Sequence, residues 1–197
     1  MTTTTSTPTA SRSSSGPDRA VHSGAGRAVR YLAATVRICL GWVFLWAFLD
    51  KLLALGFATG RDAETGVVDR FGPDAWINEG SPTRGFLAFG TDGPLAEFYQ
   101  GFAGAAWADW LFMVGLASIG VALLLGAGMR LAAGSGALLL VLMWSAALPP
   151  QNNPFMDDHL VYALVLVLLA AMGAGRTLGL GRWWESRGVV RRHPWLI

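Results

Sequence analysis

The sequence contains a single cysteine and only three histidines, and these scarcities limit its possible chemistry. Cys39 alone cannot form a disulfide, a CxxC redox pair or a cysteine-ligated iron–sulfur cluster within the chain. His22 and His193 lie in polar terminal regions, so only His159 is close to an apolar segment. The sequence therefore predicts no haem held by two facing histidines, no iron–sulfur cluster and no zinc or other metal site.

Charged side chains are also few. Asp, Glu, Lys and Arg make up 14% of the chain, against 53% hydrophobic residues. This balance is too apolar for an ordinary soluble domain and is typical of an integral membrane protein, with the lipid bilayer as its main partner. Almost all of the basic charge comes from arginine, and the resulting pI of about 9.1 needs no nucleic-acid partner to explain it.

Four apolar segments follow a polar beginning. Residues 1–27 are rich in Thr, Ser, Gly and Pro, which predicts a disordered cytoplasmic tail. The apolar segments cover about residues 31–55, 107–127, 131–148 and 157–174, and a basic tail follows at 176–197. A helix of about 20 apolar residues crosses the hydrocarbon layer. We therefore expect an all-α membrane protein whose residues 28–175 form a bundle of four transmembrane helices.

A long polar connection, residues 56–106, separates the first two spans and holds three arginines against seven acids, a net charge of minus four. The remaining arginines lie before the centre of the first span, in the turn between the second and third spans, and in the C-terminal tail. The positive-inside rule then predicts a multi-pass protein of the plasma membrane with both termini cytoplasmic and the acidic connection outside. Within this connection, apolar residues recur at helical spacing after Pro94, which predicts an amphipathic helix on the membrane or over the bundle.

Small residues in the second and third spans are of the kind that lets membrane helices approach closely. They are Gly115, Ala117, Ser118 and Gly120 in the second span, and Gly134, Ser135 and Gly136 in the third. None belongs to a nucleotide-binding glycine motif, so helix packing is their expected role.

The stretch from Asn153 to His159 leads into the fourth span and carries the first candidates for chemistry, Asp157, Asp158 and His159. One interpretation is structural: Asn153 caps the helix, and the two carboxylates favour the positive end of its dipole. A protonated imidazole is disfavoured there, so we expect a neutral His159 that can exchange one proton. Both interpretations stay open for the two aspartates.

The first span adds polar residues at both of its ends. Arg37 is expected to extend back toward the cytoplasm. Asp50 and Lys51 are expected at the opposite interface, either as simple anchors or as part of a site with His159.

Three groups of motifs resemble the DoxX/DoxD family of membrane proteins. They are Arg37-x-x-x-Gly41 with Phe-Leu-Asp-Lys in the first span, the segment from Trp110 through Gly-Met-Arg-Leu-Ala-Ala in the central hairpin, and Asn153-Pro154-Phe155 with Asp157-Asp158-His159. The resemblance covers most of residues 30–184 and implies a four-helix membrane bundle. The DoxD branch is the membrane subunit of thiosulfate:quinone oxidoreductase, which oxidises thiosulfate to tetrathionate and passes electrons to quinone.

The resemblance implies a quinone-linked oxidoreductase subunit with quinone as substrate. The candidate catalytic residues are His159, Asp158 and Asp157, and the candidate quinone-binding residues are Asp50, Lys51, Arg37, Trp144, Asn153 and Tyr162. No soluble domain follows the fourth predicted span, so such an activity would need a second oxidoreductase subunit or a redox enzyme complex as partner. The alternative is a non-catalytic membrane scaffold that recruits redox or respiratory proteins. Solute transport is disfavoured, because no span has an interrupted middle or a central charge.

Overall fold

The computed structural model describes residues 17–150 and 152–197, and these are mostly helical, with no β-strand among them. In chain order the helices are α1 (Pro17–Leu53), α2 (Arg84–Phe89), α3 (Ala96–Gln100), α4 (Ala106–Leu125), α5 (Met129–Ala146), α6 (Asp158–Ala171), α7 (Gly181–Glu185) and α8 (Gly188–Arg192). Short 3-10 turns occur at Trp76–Asn78, Ala174–Arg176 and Pro194–Leu196. Of the predicted disordered tail, residues 1–16 lie outside the described residues, and α1 already begins at Pro17.

Three helices in the described part of the chain are long and apolar enough to cross a membrane: the part of α1 from Gly26 to Leu53, α4 and α5. This agrees with the predicted helical membrane protein. The fourth predicted span corresponds to α6, which has 14 residues. A helix of that length rises about 21 Å, less than the roughly 30 Å thickness of the hydrocarbon layer.

The long helices pack in the order α1, α4, α5, α6, with α6 returning to α1, and successive helices run antiparallel. Two glycines show how closely α1 and α4 approach each other. A Cβ added at Gly41 would lie 2.9 Å from the backbone nitrogen of Leu124, and one added at Gly120 would lie 2.8 Å from that of Leu45. Gly41 contacts Leu124, and four residues later on α1 Leu45 contacts Gly120, which is four residues earlier on α4. The two helices must therefore run in opposite directions.

A central layer fixes the register of all four helices. A Cβ added at Gly136 on α5 would lie 2.8 Å from Leu166 of α6, 3.3 Å from Ile119 of α4 and 3.6 Å from Phe44 of α1. The three apolar side chains are almost completely buried and belong to one core cluster. Gly136 is therefore a packing residue, as the sequence predicts. Other predicted packing glycines, Gly115 and Gly134, have open space beside them.

Substitution of Gly120 by alanine is expected to lower the free energy of unfolding by about 2 kcal/mol, because the added methyl group forces α1 and α4 apart. The matched control is Gly115→Ala on the same helix. No atom lies within 4 Å of its added Cβ, so it is expected to be neutral or stabilising by up to about 1 kcal/mol. Thermal unfolding in detergent, followed by circular dichroism, measures both changes. Equal stabilities of the two variants would contradict the close approach at Gly120.

The connection between α1 and α4 folds over one end of the bundle. The predicted amphipathic helix appears as the short helix α3, and its Tyr99 is buried. The Tyr99 hydroxyl lies 2.6 Å from Oγ of Ser145 and donates to the carbonyl of Leu142 on α5. Tyr99 thus packs on the end of α5, while Phe98 on the same helix is exposed.

Candidate functional site

One end of the bundle gathers most of the predicted site residues. Because the helices alternate in direction, the C-terminal ends of α1 and α5 lie beside the N-terminal ends of α4 and α6. Asp50 and Lys51 are near the end of α1, and Asp157 and His159 are at the start of α6. We call this end of the bundle the Asp50 end.

Lys51 and His159 occupy the same layer at the Asp50 end. Each is seven residues from a member of the central layer, toward the Asp50 end. Lys51 follows Phe44 on α1, and His159 precedes Leu166 on α6. Seven residues make about two helical turns, so each keeps the core-facing side of its helix and lies about 10 Å further along. Both residues therefore start from the core-facing sides of their helices at the Asp50 end.

The same step places Phe112 of α4 and Met143 of α5 in this layer, seven residues from Ile119 and Gly136. Lys51, Phe112, Met143 and His159 are all partly buried, and we call them the mouth layer. The Lys51 ammonium lies 6.0 Å from the centroid of the Phe112 ring, which supports this register. The mouth layer thus combines two nitrogen groups with an aromatic ring and a thioether.

Asp157 caps α6 and also contacts the His159 ring. Its Oδ1 accepts a hydrogen bond of 3.1 Å from the backbone N–H of Leu160, so it is the N-cap of α6. Its Oδ2 lies 2.6 Å from Nδ1 of His159. A carboxylate on Nδ1 orients the ring and leaves Nε2 as the nitrogen that can exchange a proton. The two interpretations of Asp157 from the sequence are therefore compatible.

Asp50 is almost completely buried and is already bonded within the fold. Its carboxylate accepts the backbone N–H groups of Phe57, at 3.1 Å, and Ala58, at 2.8 Å. Asp50 therefore holds the start of the connection against the end of α1. Neighbouring Lys51 has no ion pair among the described residues, so its ammonium remains able to bind another group.

A groove lies along the outer face of α1 at this end. Its lining is almost entirely apolar, with Asp50 and Lys51 at the end nearest the connection, and its volume is about 420 Å³. It is lined by Trp42, Val43, Trp46, Ala47, Asp50, Lys51, Phe57 and Ala58. Lys51 thus lines this groove and also belongs to the mouth layer.

The other predicted residues near α6 mostly shape the loop before it. Nε1 of Trp144 donates to the carbonyl of Phe155 at 2.8 Å, and the two rings meet edge to face. Asn153 closes a turn by accepting the N–H groups of Phe155 and Met156. The expectation that Asn153 caps the helix is wrong, because that place is taken by Asp157.

Asp158 and Tyr162 are exposed on α6, and neither side chain has a hydrogen-bond partner in the described part of the chain. Both are close in sequence to His159 of the mouth layer. Tyr162 lies three residues after His159, so it is on nearly the same side of α6. Both remain accessible to a ligand.

Arg37 does not join the other candidates. It lies thirteen residues before Asp50, which is about 20 Å along α1 and at the other end of the bundle. The expectation that its side chain extends to the cytoplasmic surface is wrong, because the side chain is fully buried. The guanidinium donates to the carbonyls of Leu123, Leu124 and Leu178, which the chain brings together from α4 and the C-terminal segment.

Sequence reasoning missed Asp109, which is buried in the first turn of α4. Its Oδ1 accepts hydrogen bonds from Oγ of Ser81 at 2.9 Å, and from the backbone N–H and the hydroxyl of Thr83 at 3.1 and 2.6 Å. The available signal was a lone carboxylate just inside an apolar segment, which requires partners. Asp109 fastens the connection to the bundle.

Comparisons with protein-family models, with curated proteins and with solved structures gave no match to this chain. The DoxX/DoxD resemblance therefore rests on the sequence motifs alone.

Proposed function

We propose that the chain is a multi-pass protein of the plasma membrane, of the DoxX/DoxD type, with four spans and both termini in the cytoplasm. Exposed arginines at the end of the bundle opposite Asp50 support this orientation: Arg27, Arg30, Arg130, Arg182, Arg187, Arg191 and Arg192. In this arrangement α6 is the short fourth span. A short span is accommodated by local thinning of the bilayer at modest cost.

The function we propose is that of a quinone-linked redox subunit. The observation that supports it is the placement of Lys51 and His159, both partly buried, in one layer at the Asp50 end of the bundle. A quinone ring carries two carbonyl oxygens on opposite sides, and each accepts a hydrogen bond. The Lys51 ammonium and Nε2 of His159, when the imidazole is protonated, supply N–H donors from two helices, while Phe112 and Met143 offer apolar contact to the ring.

His159 and Lys51 would supply the protons in this chemistry. Reduction of a quinone to a quinol takes two electrons and two protons. Nε2 of the His159 imidazolium would donate one proton to one reduced quinone oxygen, and the Lys51 ammonium would donate the second proton to the opposite oxygen. Asp157, 2.6 Å from Nδ1, stabilises the imidazolium before its transfer. Water that reaches the partly exposed His159 side chain then returns a proton to the ring, and Lys51 is reprotonated in the same way.

The electrons would come from a partner subunit. The family resemblance implies thiosulfate as donor: two thiosulfate ions join through a new S–S bond to form tetrathionate and release two electrons. The acidic connection at the Asp50 end carries a net charge of minus four and repels a dianion. Thiosulfate oxidation is therefore assigned to the partner, and quinone reduction to this chain.

The test is retention of quinone by the protein purified in mild detergent, measured by solvent extraction and chromatography. Wild type is expected to retain quinone, and His159→Ala is expected to retain about tenfold less, as about 1.4 kcal/mol of lost binding energy would give. His193→Ala is the matched control, because His193 is exposed in the C-terminal segment. Equal retention by the two variants, with both folded, would contradict a quinone role for His159.

Thiosulfate is tested separately, as thiosulfate-dependent quinone reduction in membranes from cells with and without the gene. Loss of the activity on deletion is the expected result. Unchanged activity would remove the thiosulfate assignment and leave the quinone site to be judged by the retention experiment.

A second candidate is the non-catalytic scaffold, and one observation favours it. The connection exposes large apolar side chains outside the three candidate spans: Phe71 is 57% exposed, Ile77 54%, Phe89 80% and Phe98 66%. Such a surface suits contact with a partner protein. Co-purification of other membrane enzymes with a wild-type protein that holds no quinone would favour the scaffold.

A further inference from the structure

The groove on α1 is a built feature of the fold. The Asp50 carboxylate accepts hydrogen bonds from the backbone N–H groups of Phe57 and Ala58. These bonds hold the Phe57 ring against α1. The rings of Phe57 and Trp46 meet edge to face at 5.1 Å between centroids. Trp42 lies next to Trp46, at 5.7 Å. The groove walls are therefore three aromatic rings positioned by a buried carboxylate.

The groove opens away from the bundle. On α1, Gly41 faces α4. Trp42 and Trp46 are turned from Gly41 by about 100° and 140° around the helix, and Asp50 by about 180°. Trp42 is 51% exposed and Phe57 is 68% exposed. Since α1 is a candidate span, a ligand on this face would arrive from the lipid.

The chemistry of the groove selects among lipid-borne molecules. Its walls suit a flat ring, which stacks on aromatic side chains. The groove extends about 12 Å along the helix from Trp42 to Asp50, and its volume falls in the range of ordinary ligand sites. Lys51 lines the groove at the end near Asp50, where its flexible side chain can offer a cationic donor to a carbonyl oxygen. A phospholipid could also pair its phosphate with Lys51 and lay an acyl chain on the groove, but only a flat ring can stack on the aromatic walls.

We propose that this groove is the lateral binding site for the ring of an isoprenoid quinone that enters from the bilayer. This inference rests on the proposed quinone function and gives the ring a position on the lipid side of α1. Lys51 belongs to both the groove and the mouth layer, so it connects the entry site with His159. The isoprenoid tail stays in the lipid beside Trp42.

A photoreactive azido-quinone tests the proposal on the full chain in nanodiscs. Labelled peptides are identified by mass spectrometry, and labelling is competed with ubiquinone-1. The expected label lies on residues 42–58. Trp46→Leu is expected to weaken competition by ubiquinone-1 about tenfold. Trp183→Leu is the control, because Trp183 is exposed and stacks on Arg187 at 3.8 Å in the C-terminal segment.

The outcomes separate the two proposals. Saturable labelling elsewhere in the bundle, with the same competition by ubiquinone-1 in Trp46→Leu as in wild type, would overturn the proposed binding site in the groove. The proposed quinone function would then still stand. No saturable labelling at all would overturn both. Labelling of the groove by a photoreactive phospholipid that ubiquinone-1 does not displace would assign the groove to lipid. Circular dichroism of Trp46→Leu establishes that its loss of binding is not a loss of fold.

Discussion

Replacement of Arg37 by leucine is expected to lower the free energy of unfolding by about 3–5 kcal/mol, the largest effect of any single substitution considered for this protein. The guanidinium is fully buried and donates to carbonyls at the end of α4 and to Leu178 of the C-terminal segment. The last carbonyls of a helix have no partner within it, and the helix dipole favours a cation there. Removing Arg37 leaves these carbonyls buried without a donor.

Two further variants isolate the cause. Arg30→Leu is the matched control, because Arg30 lies two turns earlier on the same side of α1 and is exposed. Arg37→Lys keeps the charge but has one nitrogen, which cannot reach α4 and the C-terminal segment together, so an intermediate loss is expected. Unfolding is followed by circular dichroism in detergent, and release of the C-terminal segment by trypsin cleavage after Arg182. Stability of Arg37→Leu equal to that of Arg30→Leu would contradict this role.

The second large effect is expected at Asp109, where substitution by alanine should cost about 2–4 kcal/mol. One carboxylate oxygen accepts three hydrogen bonds, from Ser81 and Thr83, and joins the middle of the connection to the start of α4. The side chain also lies in the first helical turn, where the dipole favours a negative charge. Its loss should free the connection locally while the helices stay packed.

Limited trypsin digestion at Arg84 measures this release, and thermal unfolding measures the total cost. Asp109→Asn keeps an acceptor oxygen and is expected to lose less. Asp92→Ala is the control, because Asp92 is exposed in the same connection and its side chain has no hydrogen-bond partner among the described residues. Cleavage at Arg84 as slow in Asp109→Ala as in the control would show that Asp109 does not hold the segment.

Local signals in the sequence identified part of this structure. The apolar segments predicted the long helices, because length and composition are read directly from the chain. The carboxylates at the start of α6 were also recognised, but the cap was assigned to Asn153, although the partners of Asp157 lie only two and three residues away. In contrast, the partners of Arg37 lie 86 to 141 residues along the chain. No local pattern gives such contacts, so its burial could not be predicted.

The ends of α6 and the residues of the mouth layer also could not be predicted from local sequence patterns. The predicted fourth span included residues that fold as a loop and as a separate 3-10 turn, because apolar composition does not define helix ends. The placement of Lys51 beside Phe112 depends on the register between α1 and α4. That register is set by Gly41 and Gly120, whose close contacts appear only once the helices are packed.

The proposed quinone site requires Lys51 and His159 to lie close together at the Asp50 end of the bundle, and paired cysteines measure this directly. In a Cys39→Ala background, Lys51→Cys with His159→Cys is treated with a short bis-maleimide, and Val29→Cys with His159→Cys is the control. The account predicts cross-linking of the first pair only, since neighbouring helix axes lie about 10 Å apart, and labelling of both sites by an impermeant maleimide from the same side of the membrane. Labelling of Lys51→Cys and His159→Cys from opposite sides, or no cross-link between them in the folded protein, would contradict it.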